Sequence, residues 1–196
     1  MLDQKRLAEI ERRAKHYIQD KTILTKQKVE DVEFFLQNAG DSLESARCLF
    51  DVSTKNNYIG YEHLKGSLWV INASYYSMFY NARALLAHSG VKLKSDLSIH
   101  ALAFDALVYF FYLTGKLKKE LVHSYAEAKS NAAELLGQQK ADELIQNYLY
   151  EKEKRAAFTY EIGTFAMQSK AQTSLERASV FNAEIRMIIT PRSPSL

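Results

Sequence analysis

Proline is absent from residues 1–190 of this 196-residue chain; its two copies are Pro191 and Pro194. Proline breaks helix interiors and is tolerated in turns, so a stretch of this length without it argues for long helices and against a turn-rich β protein. Glycine is scarce too, with seven residues at 40, 60, 66, 90, 115, 137 and 163, too thinly spread for a phosphate-cradling loop. None of GxxxxGK[ST], GxGxxG or GxSxG occurs, which excludes a βαβ nucleotide fold and the nucleophile elbow of a serine hydrolase. The single cysteine, Cys48, excludes an intramolecular disulfide and a multi-cysteine zinc cluster. His16, His63, His88, His100 and His123 are scattered, without HExxH or a repeated ExxH pair, so no metal or other cofactor is expected. No apolar run reaches the ~18 residues of a spanning helix. The start, MLDQKRLAEIERR, lacks the apolar stretch of a signal peptide, so a cytoplasmic protein with no membrane partner is expected. Charge is nearly balanced, 26 basic against 23 acidic residues for a net +3, and does not by itself announce a nucleic-acid binder.

What is present is helical patterning. Apolar residues make up 47% and charged residues 25%, ordinary for a folded domain with a real core. Val29, Val32, Leu36, Ala39, Leu43, Ala46 and Phe50 follow at steps of three and four, one stripe on one helix face. Cys48 lies near that stripe and is expected as a small buried side chain. A second stripe, Leu68, Ile71, Tyr75, Met78, Ala82 and Leu85, stops at Ser89-Gly90, where glycine can take the left-handed conformation that closes a helix. Tyr75, Met78 and Phe79 are read as core. After a polar link from Val91 to Leu97, Asp96 or Ser98 can cap a third helix carrying Ile99, Leu102, Ala106, Tyr109 and Leu113, ended by Thr114-Gly115. Residues 118–160 are helix-forming throughout, with Gly137 as the place for a break. The last helix is expected to begin near Thr173 or Ser174, and the tail after Thr190 to be disordered. Residues 3–19 form a short basic amphipathic helix. The expected fold is therefore all-α: an up-and-down bundle of four to six helices over 26–190, an N-terminal helical extension over 1–25, and a tail over 191–196.

Chemistry concentrates on the second helix. Asn72, Tyr76, Tyr80 and Arg83 recur at helical spacing beside its apolar stripe, putting aromatic rings and a guanidinium on one strip. Such a strip can stack bases and bind phosphate. It can equally form a partly polar helix–helix or dimer contact. Arg83 and His88 are five apart, which on a regular helix turns them ~140° from each other. They serve one reaction if His88 bends back where the helix ends, or if two copies of the helix meet across a two-fold axis. A histidine that moves a proton at the 2′-hydroxyl or the leaving oxygen, beside an arginine that offsets charge on the phosphate, is the minimum for metal-independent RNA cleavage. By itself RxxxxH recurs by chance in many chains.

The run SYYSMFYNARALLAHSGV, followed by Ser98-Ile99-His100, resembles the central signature of HEPN domains. Upstream, VEFFLQNAGDSLESARCLF is similar to that family's first helix, and downstream EKRAAFTYEIG is similar to its arginine followed by an aromatic-tyrosine segment. The three segments run from Val32 to Gly163 in the family's order, and the resemblance covers about residues 27 to 189. The resemblance implies a helical bundle that dimerises through its motif helices. It implies that Arg83 and His88 match the family's ribonuclease motif in a composite, metal-independent site acting on RNA. Asn72, Tyr76, Tyr80, Asn81, His100, Arg155 and Tyr160 would then support the motif or line the RNA path. For Arg155 and Tyr160 a structural ion pair and a buried hydroxyl are equally good readings, and His100 can instead anchor the third helix. The Lys116-Lys118-Lys119 and Lys152-Lys154-Arg155 clusters can hold phosphate or be solvated faces. Members of this kind are often toxins neutralised by a small nucleotidyltransferase antitoxin, or phage-defence effectors. Two positions depart from the pattern: Ala84 follows the motif arginine, where active members often carry a polar residue, and Gly90 replaces a tyrosine that some members offer for antitoxin modification. A catalytically silent module that binds a nucleotide or a nucleotidyltransferase partner is the alternative.

Overall fold

The computed structural model describes residues 3–28, 30–55, 60, 61, 64, 66–94, 99–148 and 157–190, and for 135–148 and 157–166 the backbone course alone. The chain is an all-α helical bundle, as its periodicity predicts. Helix α1 (Gln4–Gln19) starts at Asp3, whose carboxylate accepts the Arg6 N–H at 2.8 Å, and it buries Ile10 and Ala14. Helix α2 (Val32–Thr54) buries Leu36, Ala39, Leu43 and Ala46, members of the first stripe, together with Phe35. Val29, the first residue of that stripe, lies outside the described residues, as do Asp96 and Ser98, the proposed caps of the third helix.

Helix α3 (Ser67–His88) is the centre of the bundle, packed against α2, α4 (Ile99–Leu107), α5 (Lys119–Tyr148) and α6 (Ala157–Ile189). Small side chains let these backbones approach. Ala39 and Ala46 on α2, Ala82 and Ala84 on α3, and Ala171 and Ala178 on α6 are all fully buried. Among the described residues no helix is long and apolar enough to cross a membrane.

Gly90 closes α3 in the manner its sequence suggests. Its φ is +71°, the Gly90 N–H bonds the Ala87 carbonyl at 2.9 Å, and the Val91 N–H bonds the Leu86 carbonyl at 2.9 Å. These two bonds are the paired closures of a left-handed helix cap. The link that follows is not merely polar connector. Lys92–Leu93 forms a short strand, β2, antiparallel to β1 (Ile23–Leu24), with Ile23 opposite Leu93 and Leu24 opposite Lys92. Two hydrogen bonds extend the contact, Lys94 N–H to the Thr22 carbonyl and Gln27 N–H to the Gly90 carbonyl, each at 2.9 Å. They hold the N-terminal segment on the bundle even though Lys21, Lys26 and Asp31 all take left-handed backbone conformations. On the other side, Arg13 of α1 grips Asp105 of α4 with two nitrogens, at 2.8 and 3.0 Å. Ile10 and Ile23 join the main core, so the extension packs as part of the bundle.

Four expectations need correction. The last helix begins at Ala157, well before Thr173 or Ser174. Thr173 caps nothing, because its hydroxyl bonds back to the Ser169 carbonyl at 3.0 Å, one turn earlier in the same helix, and Ser174 is buried. No break falls at Gly137, which α5 runs through; an interior glycine costs a helix only about 1 kcal/mol. Cys48 is exposed, since two residues from Ala46 is more than half a turn around the helix. The third helix also changes gauge. It continues from α4 as a π-helical turn over Val108–Tyr112, with Leu113 N–H bonding the Val108 carbonyl, before ending at Gly115 with φ +73°.

Gly90→Ala should destabilise the fold by about 2 kcal/mol, because a side chain at that φ is strained and its Cβ would meet the Gln27 carbonyl oxygen at 3.0 Å. Urea unfolding of the two proteins measures this directly. Arg13→Ala should cost about 3 kcal/mol, since it strands the buried Asp105 carboxylate. The double change Arg13→Met with Asp105→Leu should recover most of that loss in the same assay.

Candidate functional site

Arg83 projects from α3 where α2 begins. Its guanidinium carbon lies 4.5 Å from the centre of the Phe35 ring and 5.9 Å from that of Phe79. Among the described residues no carboxylate pairs with it. Burial lowers its pKa from the ordinary arginine value, opposed by the fields of Tyr125, Asp31 and Tyr80, and a guanidinium so placed stays charged. The aromatic faces supply the attraction that a carboxylate would otherwise give. Arg83 and Phe35 line a small open cleft of about 60 Å³ whose other walls include Gln27, Lys28, Glu30, Asp31 and the stretch from Gly90 to Leu93. That wall exists because the β1–β2 ladder and the Gln27–Gly90 bond hold the N-terminal segment against the end of α3.

His88 is the last residue of α3 and is exposed. The helix stays regular up to it, with Ser89 N–H reaching the Leu85 and Leu86 carbonyls, so His88 does not bend back toward Arg83. Within one copy the two side chains leave α3 in directions ~140° apart.

The histidine that shares Arg83's surroundings is His100, at the start of α4. Its imidazole packs 4.3 Å, centre to centre, from the Phe79 ring and 5.6 Å from the Tyr76 ring, the latter edge to face. Its Nδ1 lies 2.9 Å from the Tyr75 hydroxyl. Burial raises the Tyr75 phenol well above its usual range, so the hydroxyl keeps its proton, and with no other acceptor for it among the described residues it donates to the imidazole. His100 Nδ1 is then the acceptor, and the neutral ring carries its proton on Nε2, on the edge away from Tyr75. Burial, then the positive charges of Lys129 and Arg83, lower the His100 pKa from 6.5.

The strip foreseen on α3 divides by depth. Tyr76 is 40% exposed and Tyr80, 6.2 Å away ring to ring, is half-buried, whereas Asn72 is buried. Asn81 is fully buried, and its amide donates to the Ser77 carbonyl at 3.2 Å. Tyr75, Met78 and Phe79 are core, as read. Arg155 lies outside the described residues, with the rest of the Lys152-Lys154-Arg155 cluster; Tyr160 is on α6 with its side chain outside them. Lys116, Lys118 and Lys119 are exposed, and Lys118 approaches Glu184 at 3.5 Å.

Two participants escape a reading of the sequence: Phe35, which carries Arg83, and Lys129, whose ammonium lies 5.2 Å from the centre of the Phe104 ring. Lys129 stands one turn after Tyr125, and that spacing was the only signal available; which helix would face Tyr125 was not in it. Among the described residues no group of three His, Cys, Asp or Glu side chains is arranged to hold a metal ion. Compared with protein-family profiles, with curated proteins and with solved structures, the chain matches none of them.

Because folding lowers the His100 pKa below 6.5, the unfolded chain takes up that proton first as pH falls. The corresponding stability is complete above pH 6.5 and is lost as pH drops toward the folded-state value. Thermal unfolding between pH 7 and pH 5 should show Tm falling for the native chain and a shallower slope for His100→Gln.

Proposed function

We propose that this protein is a metal-independent endoribonuclease of the HEPN type, working as a homodimer in which Arg83 and His88 of both copies line one cleft. The observation that carries this reading is Arg83: a half-buried guanidinium at an open cleft, resting on Phe35 and without a carboxylate partner among the described residues. Such a group is available to a phosphate diester and stabilises the extra charge of its pentacoordinate transition state. His88, exposed at the end of the same helix, supplies proton transfer. With two copies present, one His88 accepts the 2′-hydroxyl proton as that oxygen attacks phosphorus. The other protonates the 5′ oxygen as its bond to phosphorus breaks, leaving a cyclic phosphate and a 5′-hydroxyl. The ~140° between the two side chains on one helix is the reason the second copy is required. A toxin or phage-defence role in the cytoplasm, with a nucleotidyltransferase as antitoxin, fits a chain of this type.

A second reading keeps the same cleft as a silent nucleotide- or partner-binding module. Its support is Ala84, fully buried beside Arg83, which adds no polar group to the cleft.

In EDTA the native chain should cleave single-stranded RNA, and Arg83→Ala and His88→Ala should each lower the rate by at least about 100-fold. Cleavage left unchanged in either variant would sink the assignment. Native protein that binds a nucleotide yet leaves RNA intact would favour the silent module.

A further inference from the structure

We infer that Tyr76, His100 and Lys129 form a nucleotide subsite for single-stranded RNA, with one base lying on the Tyr76 ring and the neighbouring phosphate held by the His100 Nε2–H and the Lys129 ammonium. The inference deepens the ribonuclease reading by adding a path for the strand, and it rests on that reading for the choice of RNA among polyanions.

Tyr76 is 40% exposed in the middle of α3, a helix most of whose side chains are buried. Its neighbours hold the ring in place: Phe79 and His100 meet it edge to face and Tyr80 lies along one side. A fixed, solvent-facing ring is a stacking platform that accepts any base. His100 brings a donor beside it. The Tyr75 hydroxyl occupies Nδ1 at 2.9 Å, and Nε2 has no partner among the described residues.

The adjoining charge is positive. Lys129 is half-buried on α5, over the Phe104 ring one turn along α4 from His100, and no carboxylate forms an ion pair with it among the described residues. Asp105, whose charge bears on Lys129, is already taken up by Arg13. Phe79 meets both the Arg83 guanidinium, at 5.9 Å, and the His100 ring, at 4.3 Å, and the positive charges of Lys129 and Arg83 both bear on His100. Two cations without an ion-pair partner among the described residues, and a neutral N–H donor beside an exposed aromatic face, complement a base and its phosphate.

The test is binding, read separately from cleavage. Fluorescence anisotropy of a labelled eight-nucleotide oligouridine, in EDTA and with His88→Ala as the parent so that the probe survives, gives Kd for each variant. Tyr76→Ala should raise Kd about tenfold while Tyr76→Phe leaves it near the parent value, because the ring and not the hydroxyl is used. Lys129→Gln should weaken binding and reduce the slope of log Kd against log salt by about one. Circular dichroism and Tm establish that each variant is folded, and Lys129→Gln and Tyr76→Phe keep the test open if Tyr76→Ala is not. Parent-like Kd and salt slope in both Tyr76→Ala and Lys129→Gln would overturn the subsite, as would equal, Tyr76-independent binding of a duplex of the same length. Tyr76-dependent binding by a native chain that does not cleave would uphold the subsite and remove the ribonuclease reading. Cleavage by native protein with unaltered binding in both variants would do the reverse.

Discussion

One hydroxyl group ties three helices together at the middle of the bundle. Ser77 of α3, fully buried, donates to the Ala39 carbonyl of α2 at 2.7 Å and accepts from the Asn182 amide of α6 at 2.6 Å. A buried polar group is costly unless bonded, so this arrangement admits one depth and one register of α3 between its neighbours. Arg186 adds a second tie, donating to the Leu36 carbonyl at 3.1 Å beside Gly40, where a side chain would crowd it. Arg83 stands six residues beyond Ser77, ~9 Å along the axis. Its meeting with Phe35 follows from the depth that Ser77 sets.

Cations are treated in two ways in this fold. Arg13 is given the buried Asp105 and serves to pin the N-terminal helix. Arg83 and Lys129, equally withdrawn from water, rest on aromatic faces. An ion pair would have cancelled the field each projects; an aromatic face attracts the cation without neutralising it. The positive charges of both bear on His100, and Phe79 meets both Arg83 and His100.

Much of the helical plan was legible because burial on α2 and α3 leaves a periodic trace. The stripes through Leu36 and Ala46, and through Ile71 and Leu85, follow directly from 3.6 residues per turn. The closures at Gly90 and Gly115 were readable for a different reason, a left-handed backbone that glycine alone adopts without strain. Thr173 misled because a hydroxyl can cap a helix or bond back to the preceding turn, and sequence does not say which. Cys48 misled because nearness to a stripe in sequence is not nearness around a helix. Two-residue strands such as Ile23–Leu24 leave no periodic trace at all.

The sequence by itself determined an all-α chain, the helix that carries Arg83, and the stop beyond His88, since each depends on local propensity or on spacing along one element. Tertiary structure alone decided what surrounds those side chains. It put Phe35 under Arg83, the N-terminal segment across the cleft, Asn81 in the core, and His100 against Phe79 rather than His88 beside Arg83. These are contacts between residues distant in the chain, set by how helices pack and by which buried polar groups find partners, and no spacing within a single helix encodes them.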